Sequence, residues 1–110
     1  MATVAPSNGI VLHLVTRSPF ASTALEDALR CSGQGDGILL MHDAVLAAPT
    51  AVALPQHLAA RFSTRRLFVL APDLAARGMG GARLRGGIQP VDDAGFVELA
   101  CAHHASLTWA

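Results

Sequence analysis

The stretch 35–43, GDGILLMHD, does most to decide the fold, because a glycine turn leads into a short apolar run that ends on polar residues. A run as short as 38–41 with no polar side chain is typical of a strand buried on both faces of a parallel sheet. Pro90 confines the strand predicted at 88–91 to an edge or end of the sheet, since proline has no N–H to donate to a neighbouring strand. Four further strands are predicted at 10–16, 67–70, 88–91 and 106–109.

Helical segments are predicted between these runs. Ser18 at the N-cap and Pro19 at the first helical position start a helix that Gly33 ends. The remaining helices are predicted within 44–63, with a new start at Pro55, at 72–77, and from Asp92 or Asp93 to about His103. Strand–helix alternation predicts an α/β fold with an open, mostly parallel sheet of about five strands and helices on both faces.

The composition limits the size and class of the protein. With 110 residues, 52% of them hydrophobic, the chain suits one packed domain, predicted at 10–110 after a flexible N-terminal tail at 1–9. A net charge of zero argues against a DNA-binding domain, and the absence of lysine excludes a P-loop or Schiff-base lysine. No secretory signal or membrane-spanning run is found, so we expect a cytoplasmic protein that needs no membrane.

Ligand chemistry in such folds sits beyond the carboxyl ends of the strands. Arg17, Ser18, His42 and Asp43 occupy such positions, as does the segment 71–73. Ser18 is a candidate anion site because backbone N–H groups and the helix dipole both point to a helix start. An ordinary N-cap is the alternative. His42 and Asp43 could act as an acid–base pair, although neighbours on a strand point to opposite faces.

Three arginines, Arg77, Arg83 and Arg85, lie in or beside the glycine-rich stretch 78–87, predicted to be a flexible loop. They could contact an RNA backbone or an acidic patch on a partner protein. The alternative is a solvated loop without a specific role. The glycines do not follow the dinucleotide pattern, since Arg83 replaces the third glycine, and no cofactor is expected.

The two cysteines are far apart in the sequence. Cys31 is predicted in the last turn of the first helix and partly exposed, at the end of the helix whose dipole disfavours a thiolate. It is a weak sulfur-carrier candidate. Cys101 is expected to be a buried small hydrophobe. Together with His103 and His104 it suggests a metal site, but these residues supply too few ligands and we expect none.

Five strings, in this order, carry a family resemblance. They are 12–20 (LHLVTRSPF), 35–43 (GDGILLMHD), 71–78 (APDLAARG), 93–99 (DAGFVEL) and a tryptophan beside the end, Trp109. The chain resembles the DsrH/TusB family, the small subunits of DsrEFH and TusBCD sulfur-relay complexes. The resemblance runs from about Ile10 to Trp109.

The resemblance implies a DsrE-like fold and a heterohexamer with two copies each of three related subunits. The partners would be DsrE/TusD-like and DsrF/TusC-like subunits, and the first of these would carry the sulfur-accepting cysteine. This chain would be a non-catalytic positioning subunit, serving 2-thiolation of the tRNA wobble uridine or, alternatively, dissimilatory sulfur oxidation. Many relatives have a cysteine where Ala28 stands, and its role cannot be transferred to Cys31. Candidate interface residues are Leu46, Val52 and Leu54.

Overall fold

Five parallel strands form one open sheet in the computed structural model, which describes residues 11–110. Each predicted strand is confirmed to within about two residues at its ends; Ile10 and the predicted tail at 1–9 lie outside the described residues. The order across the sheet is β4-β3-β2-β1-β5, so Pro90 lies on an edge strand, as predicted. The strands are β1 Val11–Val15, β2 Gly37–Leu40, β3 Arg66–Leu70, β4 Ile88–Val91 and β5 Ala105–Trp109.

Within the described part of the chain, four α-helices and two 3₁₀ helices connect the strands, and helices cover both faces of the sheet, as predicted. The helices are α1 Ala24–Cys31, α2 Gln56–Ala59, α3 Ala71–Ala76 and α4 Asp93–Ala102, with 3₁₀ helices at His42–Ala47 and Phe62–Thr64. The α4 start is confirmed, because Asp92 caps it by accepting from the backbone N–H of Gly95 at 2.7 Å. None of the helices within 11–110 is both long and apolar enough to span a bilayer.

The helices are divided unequally between the two faces. Crossovers between parallel strands are right-handed, so the connections from β1 through β4 put α1 to α3 on one face. The chain then returns past β1 to form β5, which puts α4 on the other face. The larger core, with Val15, Leu40 and Val69 at its centre, lies under α1 to α3. The smaller core consists of Leu12, Leu39 and Phe68, covered in part by α4.

The predicted start of the first helix at Ser18 is wrong. The Ser18 side chain accepts from the N–H of Phe20, and its carbonyl accepts from the N–H of Ala21, which makes a turn instead of a helix. α1 begins at Ala24, where the Ser22 hydroxyl accepts from the backbone N–H. Serine side chains that bond to nearby backbone groups favour turns over helix interiors, and this explains the delayed start.

The segment 44–63 is less helical than predicted. A helix does follow Pro55, which is its N-cap and not its first residue, but α2 has only 4 residues and the rest is 3₁₀ helix and loop. The residues that pack against the larger core, among them Ala44, Val45 and Leu58, are nevertheless buried. The two prolines at Pro49 and Pro55 interrupt the hydrogen bonding that a longer α-helix would need.

Candidate functional site

Polar residues after β2 and β3 meet at the carboxyl edge of the sheet, the location predicted from the strand pattern. The backbone N–H of His42 donates to Oδ2 of Asp73 at 2.6 Å. The guanidinium of Arg77 donates to Oδ1 of Asp43 at 2.9 Å. His42 has φ 51°, in the left-handed region that residues other than glycine rarely occupy. We call these four residues the carboxyl-edge cluster.

The carboxyl-edge cluster connects loops and does not form an acid–base pair. The carboxylate of Asp43 accepts from Arg77, and the carboxylate of Asp73 accepts from the backbone N–H of His42. Within residues 11–110 the His42 ring has no hydrogen bond, so nothing there orients it as a base. The cluster is solvent-exposed and fixes the positions of the loops after β2 and β3, which suits recognition of a partner better than catalysis.

The three loop arginines point to different partners. Arg77 belongs to the carboxyl-edge cluster, whereas Arg85 donates to the backbone carbonyls of Ala47 and Val52. Backbone hydrogen bonds join the same loop to the segment that follows the first 3₁₀ helix. In one of them, the N–H of Thr50 donates to the Arg83 carbonyl at 2.8 Å. The prediction of a flexible loop is therefore wrong. Of these three arginines, only Arg83 has an exposed guanidinium without a hydrogen bond to residues 11–110.

Arg17 and Ser18 follow β1 at the carboxyl edge. Arg17 is exposed, and Ser18 is half-buried in the turn that precedes α1. Because no helix starts at Ser18, the physical reason for expecting an anion there is lost. A partner contact at Arg17 and Ser18 stays a prediction.

Both thiols lie away from the carboxyl-edge cluster. α1 and α4 each return the chain toward the amino edge of the parallel sheet, and Cys31 and Cys101 lie in or near their last turns. Both cysteines are free and exposed. The exposure of Cys31 confirms the prediction, whereas the expected burial of Cys101 is wrong because α4 covers its face of the sheet only in part and has no fully buried residue.

A buried polar network, missed by the sequence analysis, joins β1, β2 and β5. The indole N–H of Trp109 donates to Nδ1 of His13 at 3.0 Å, so Nδ1 must be unprotonated. Nε2 of His13 therefore carries the hydrogen and donates to Oδ2 of Asp36 at 2.9 Å. Asp36 also accepts from the backbone N–H groups of Val11 and Gly33, both at 2.9 Å. His13 and Asp36 are 4% and 5% exposed, which makes this network structural.

The environment of Asp36 favours its charged form. Burial by itself raises the pKa of the carboxyl, but the hydrogen bonds from Gly33, His13 and Val11 outweigh burial and hold the pKa below its ordinary value of 3.8. The network therefore keeps a negative charge at the amino edge of the sheet, next to the loop between α1 and β2.

Stability is expected to fall when Asp36 is protonated. Because the pKa is lower in the folded protein, Asp36 contributes stability that is fully present above pH 3.8 and is lost as the pH falls through the lower, folded value. Urea unfolding at a series of acidic pH values measures this dependence. The free energy of unfolding of the Asp36→Asn variant should fall less over this pH range than that of the wild type. The same pH dependence in both proteins would show that Asp36 is not the group responsible.

Within residues 11–110, no three histidine, cysteine, aspartate or glutamate side chains come together in a way that could hold a metal ion. His103 turns away from Cys101: its Nδ1 donates to the Leu99 carbonyl at 2.7 Å, and its ring packs over Gly37. His103 is thus engaged with the end of α4 and with β2.

Comparisons with known proteins agree with the resemblance carried by the sequence strings. Residues 17–106 match the family model described as DsrH like protein. The chain belongs to the DsrH family. Protein TusB of Escherichia coli O1:K1 / APEC is 34% identical over 99 residues, which cover 90% of this chain and 100% of that protein. Protein TusB of Pectobacterium parmentieri is 33% identical over the same shares.

A solved structure extends the similarity to the fold. The ychN protein from E. coli superposes with a TM-score of 0.75 at 17% identity, over 90% of this chain and 97% of that one. The DsrE-like fold expected for a DsrH-family protein is therefore confirmed.

Proposed function

We propose that this DsrH-family chain is a non-catalytic structural and positioning subunit of a heterohexameric sulfurtransferase complex in the cytoplasm. The complex would contain DsrE/TusD-like and DsrF/TusC-like subunits and pass persulfide sulfur toward 2-thiolation of the tRNA wobble uridine. The similarity to TusB proteins over their full length carries the proposal. It favours the tRNA branch over dissimilatory sulfur oxidation.

The surroundings of the two thiols support a non-catalytic role. A sulfur-accepting cysteine needs a neighbour that stabilises its thiolate, such as a cation or a helix N-terminus. Cys31 and Cys101 lie near helix C-termini, where the dipole has the opposite sign, and neither sulfur has a hydrogen bond within residues 11–110. The carboxyl-edge cluster contains no cysteine.

Exposed apolar side chains support a role within an assembly. Phe20, Val97 and Leu107 are 59%, 58% and 47% exposed, and they lie on the loop before α1, on α4 and on the edge strand β5. Large apolar side chains left in water are common where a partner subunit covers them. The interface candidates from the sequence are less exposed than these three: Leu46, Val52 and Leu54 are half-buried, and Leu54 packs against the larger core.

Deletion of the gene from its own host tests the proposal. We expect 2-thiouridine in hydrolysed tRNA, measured by mass spectrometry, to fall to background and to return when the gene is restored. Native mass spectrometry of the tagged chain should show two related partner subunits in equal numbers. Unchanged thiolation would exclude the tRNA branch, and a chain that emerges alone would exclude the assembly.

The variant Cys31→Ser distinguishes a positioning subunit from a sulfur carrier. Cys31 is exposed, so serine should fit without loss of stability. We expect the variant to restore thiolation as well as the wild-type chain does, and Cys101→Ser is the matched control because its thiol is also exposed and free. Loss of thiolation with Cys31→Ser alone would show that Cys31 carries sulfur.

A further inference from the structure

A polar groove opens at the amino edge of the sheet, on the side opposite the carboxyl-edge cluster. It lies between the loop that joins α1 to β2 and the 3₁₀ helix that precedes β3, with a volume of about 270 Å³. Its lining residues are Gln34, Gly35, Asp36, Ser63, Thr64, Arg65 and Arg66. We call it the Arg66 groove. Two guanidinium groups and one carboxylate give it a net positive charge.

Arg65 forms a wall of the Arg66 groove and has no donor to spare. Its Nε donates to the Ser32 hydroxyl at 2.7 Å, and Nη2 donates to the Ser32 carbonyl at 2.9 Å and to the Leu29 carbonyl at 3.4 Å. Nη1 donates to the Thr64 carbonyl at 2.9 Å and to the Thr64 hydroxyl at 3.4 Å. Arg65 thus satisfies carbonyls at the end of α1, where a positive charge also complements the helix dipole.

Arg66 is held in place but keeps most of its donors. Its Nη1 donates to the Gly35 carbonyl at 3.0 Å, and its Cζ lies 5.6 Å from the centre of the Phe68 ring. A guanidinium has five N–H donors in a fixed fork. Within residues 11–110 the side chain of Arg66 makes that single hydrogen bond, so the rest of the fork remains available on an exposed, oriented group.

The carboxylate of Asp36, which also lines the groove, forms no ion pair with Arg66. Both of its oxygens are occupied by His13 and by backbone N–H groups, and the side chain is almost entirely buried. Gln34 is exposed and can donate from its amide, and the Ser63 hydroxyl makes only a long bond of 3.5 Å to the Ala60 carbonyl. The groove therefore offers hydrogen-bond donors from more than one side.

We propose that the Arg66 groove binds a tetrahedral oxyanion of the phosphate class, with two of its oxygens accepting from the free edge of the Arg66 guanidinium. A third oxygen would accept from Gln34 or Ser63. Guanidinium forks match the spacing of two phosphate oxygens, and an arginine already fixed by stacking and one hydrogen bond loses little entropy on binding. The anion is either free phosphate or a phosphate monoester carried by a small metabolite.

Titration of the full-length ¹⁵N-labelled chain tests the proposal, with the amide resonances of the groove residues as the readout. The probes are inorganic phosphate, uridine 5′-monophosphate and acetate, added at constant ionic strength. We expect saturable shifts with phosphate, and weaker binding of acetate because it lacks a third oxygen. Equal affinity for phosphate and the nucleotide supports free phosphate as the ligand, whereas tighter nucleotide binding supports the monoester. Linear shifts without saturation would overturn the proposal.

Variants of Arg66 test whether its guanidinium group binds the anion. Arg66→Gln should raise the Kd for phosphate by about tenfold or more, because a hydrogen-bonded charged group is lost. Arg66→Lys keeps the charge without the fork and should bind more weakly than wild type. Arg30→Gln is the control, since Arg30 is exposed on α1 and pairs with Asp27. Equal affinity in the wild type and Arg66→Gln would contradict the proposal, as would an equal loss in Arg30→Gln.

Discussion

Replacing Asp36 by alanine is expected to lower the free energy of unfolding by about 3 to 5 kcal/mol, because three hydrogen bonds to a charged acceptor are lost and each such bond contributes about 1.5 to 3 kcal/mol, less where the donor is partly exposed. The change leaves three donors without an acceptor: Nε2 of His13 and the backbone N–H groups of Val11 and Gly33. The largest cost comes from His13, which is buried, whereas the two backbone N–H groups are only partly buried. Urea unfolding at neutral pH, followed by circular dichroism, measures the loss.

Asp27→Ala is the matched control for this prediction. Asp27 also accepts two side-chain hydrogen bonds, from Thr23 and Arg30, but it lies on the exposed surface of α1. Exposed ion pairs contribute little, so this variant should lose about 1 kcal/mol or less. Asp36→Asn should lie between the two, because its amide keeps the volume and one acceptor oxygen. Similar losses for Asp36→Ala and Asp27→Ala would show that the buried network adds nothing.

The sequence predicts the sheet well because the residues that favour each strand lie within that strand or directly beside it. Short apolar runs, the proline of β4 and the capping aspartate Asp92 each act on their own neighbourhood, and all of these features are present in the fold. The sequence also predicts that His42 and Asp73 lie at the same edge, since the carboxyl ends of parallel strands lie at one edge of the sheet. The start of α1 is harder to predict from the sequence, because both Ser18 and Ser22 can either form a turn or cap a helix.

The polar sites depend on contacts between residues far apart in the chain. His13 and Trp109 are 96 positions apart, and Arg65 reaches back 33 positions to Ser32. One clue to the network is nevertheless present in the sequence. His13 is polar within a run predicted to be buried on both faces, and a buried polar group needs a partner. Its identity, Asp36, becomes apparent only when β1 and β2 pair.

The close contact between Gly37 and His103 leads to a second prediction with a large effect. A Cβ atom at position 37 would lie 2.9 Å from Nε2 of His103 and 3.3 Å from Cδ1 of Leu12. Gly37→Ala should therefore reduce the free energy of unfolding by about 1 to 3 kcal/mol through overpacking. His103 cannot move away cheaply, because its Nδ1 donates to the Leu99 carbonyl near the end of α4 and the residue is only 7% exposed.

A double-mutant cycle separates this contact from a general effect of the mutation. In the His103→Ala background only the contact with the flexible Leu12 side chain remains, so adding Gly37→Ala should cost little or should stabilise the strand, since alanine restricts the unfolded chain more than glycine does. The coupling between the two sites is expected to be about 1 to 3 kcal/mol, as for residues in direct contact. Gly81→Ala is the control, because a Cβ there would meet no atom within 4 Å. The same cost for Gly37→Ala with and without the His103 imidazole would show that α4 does not press its last turn against β2.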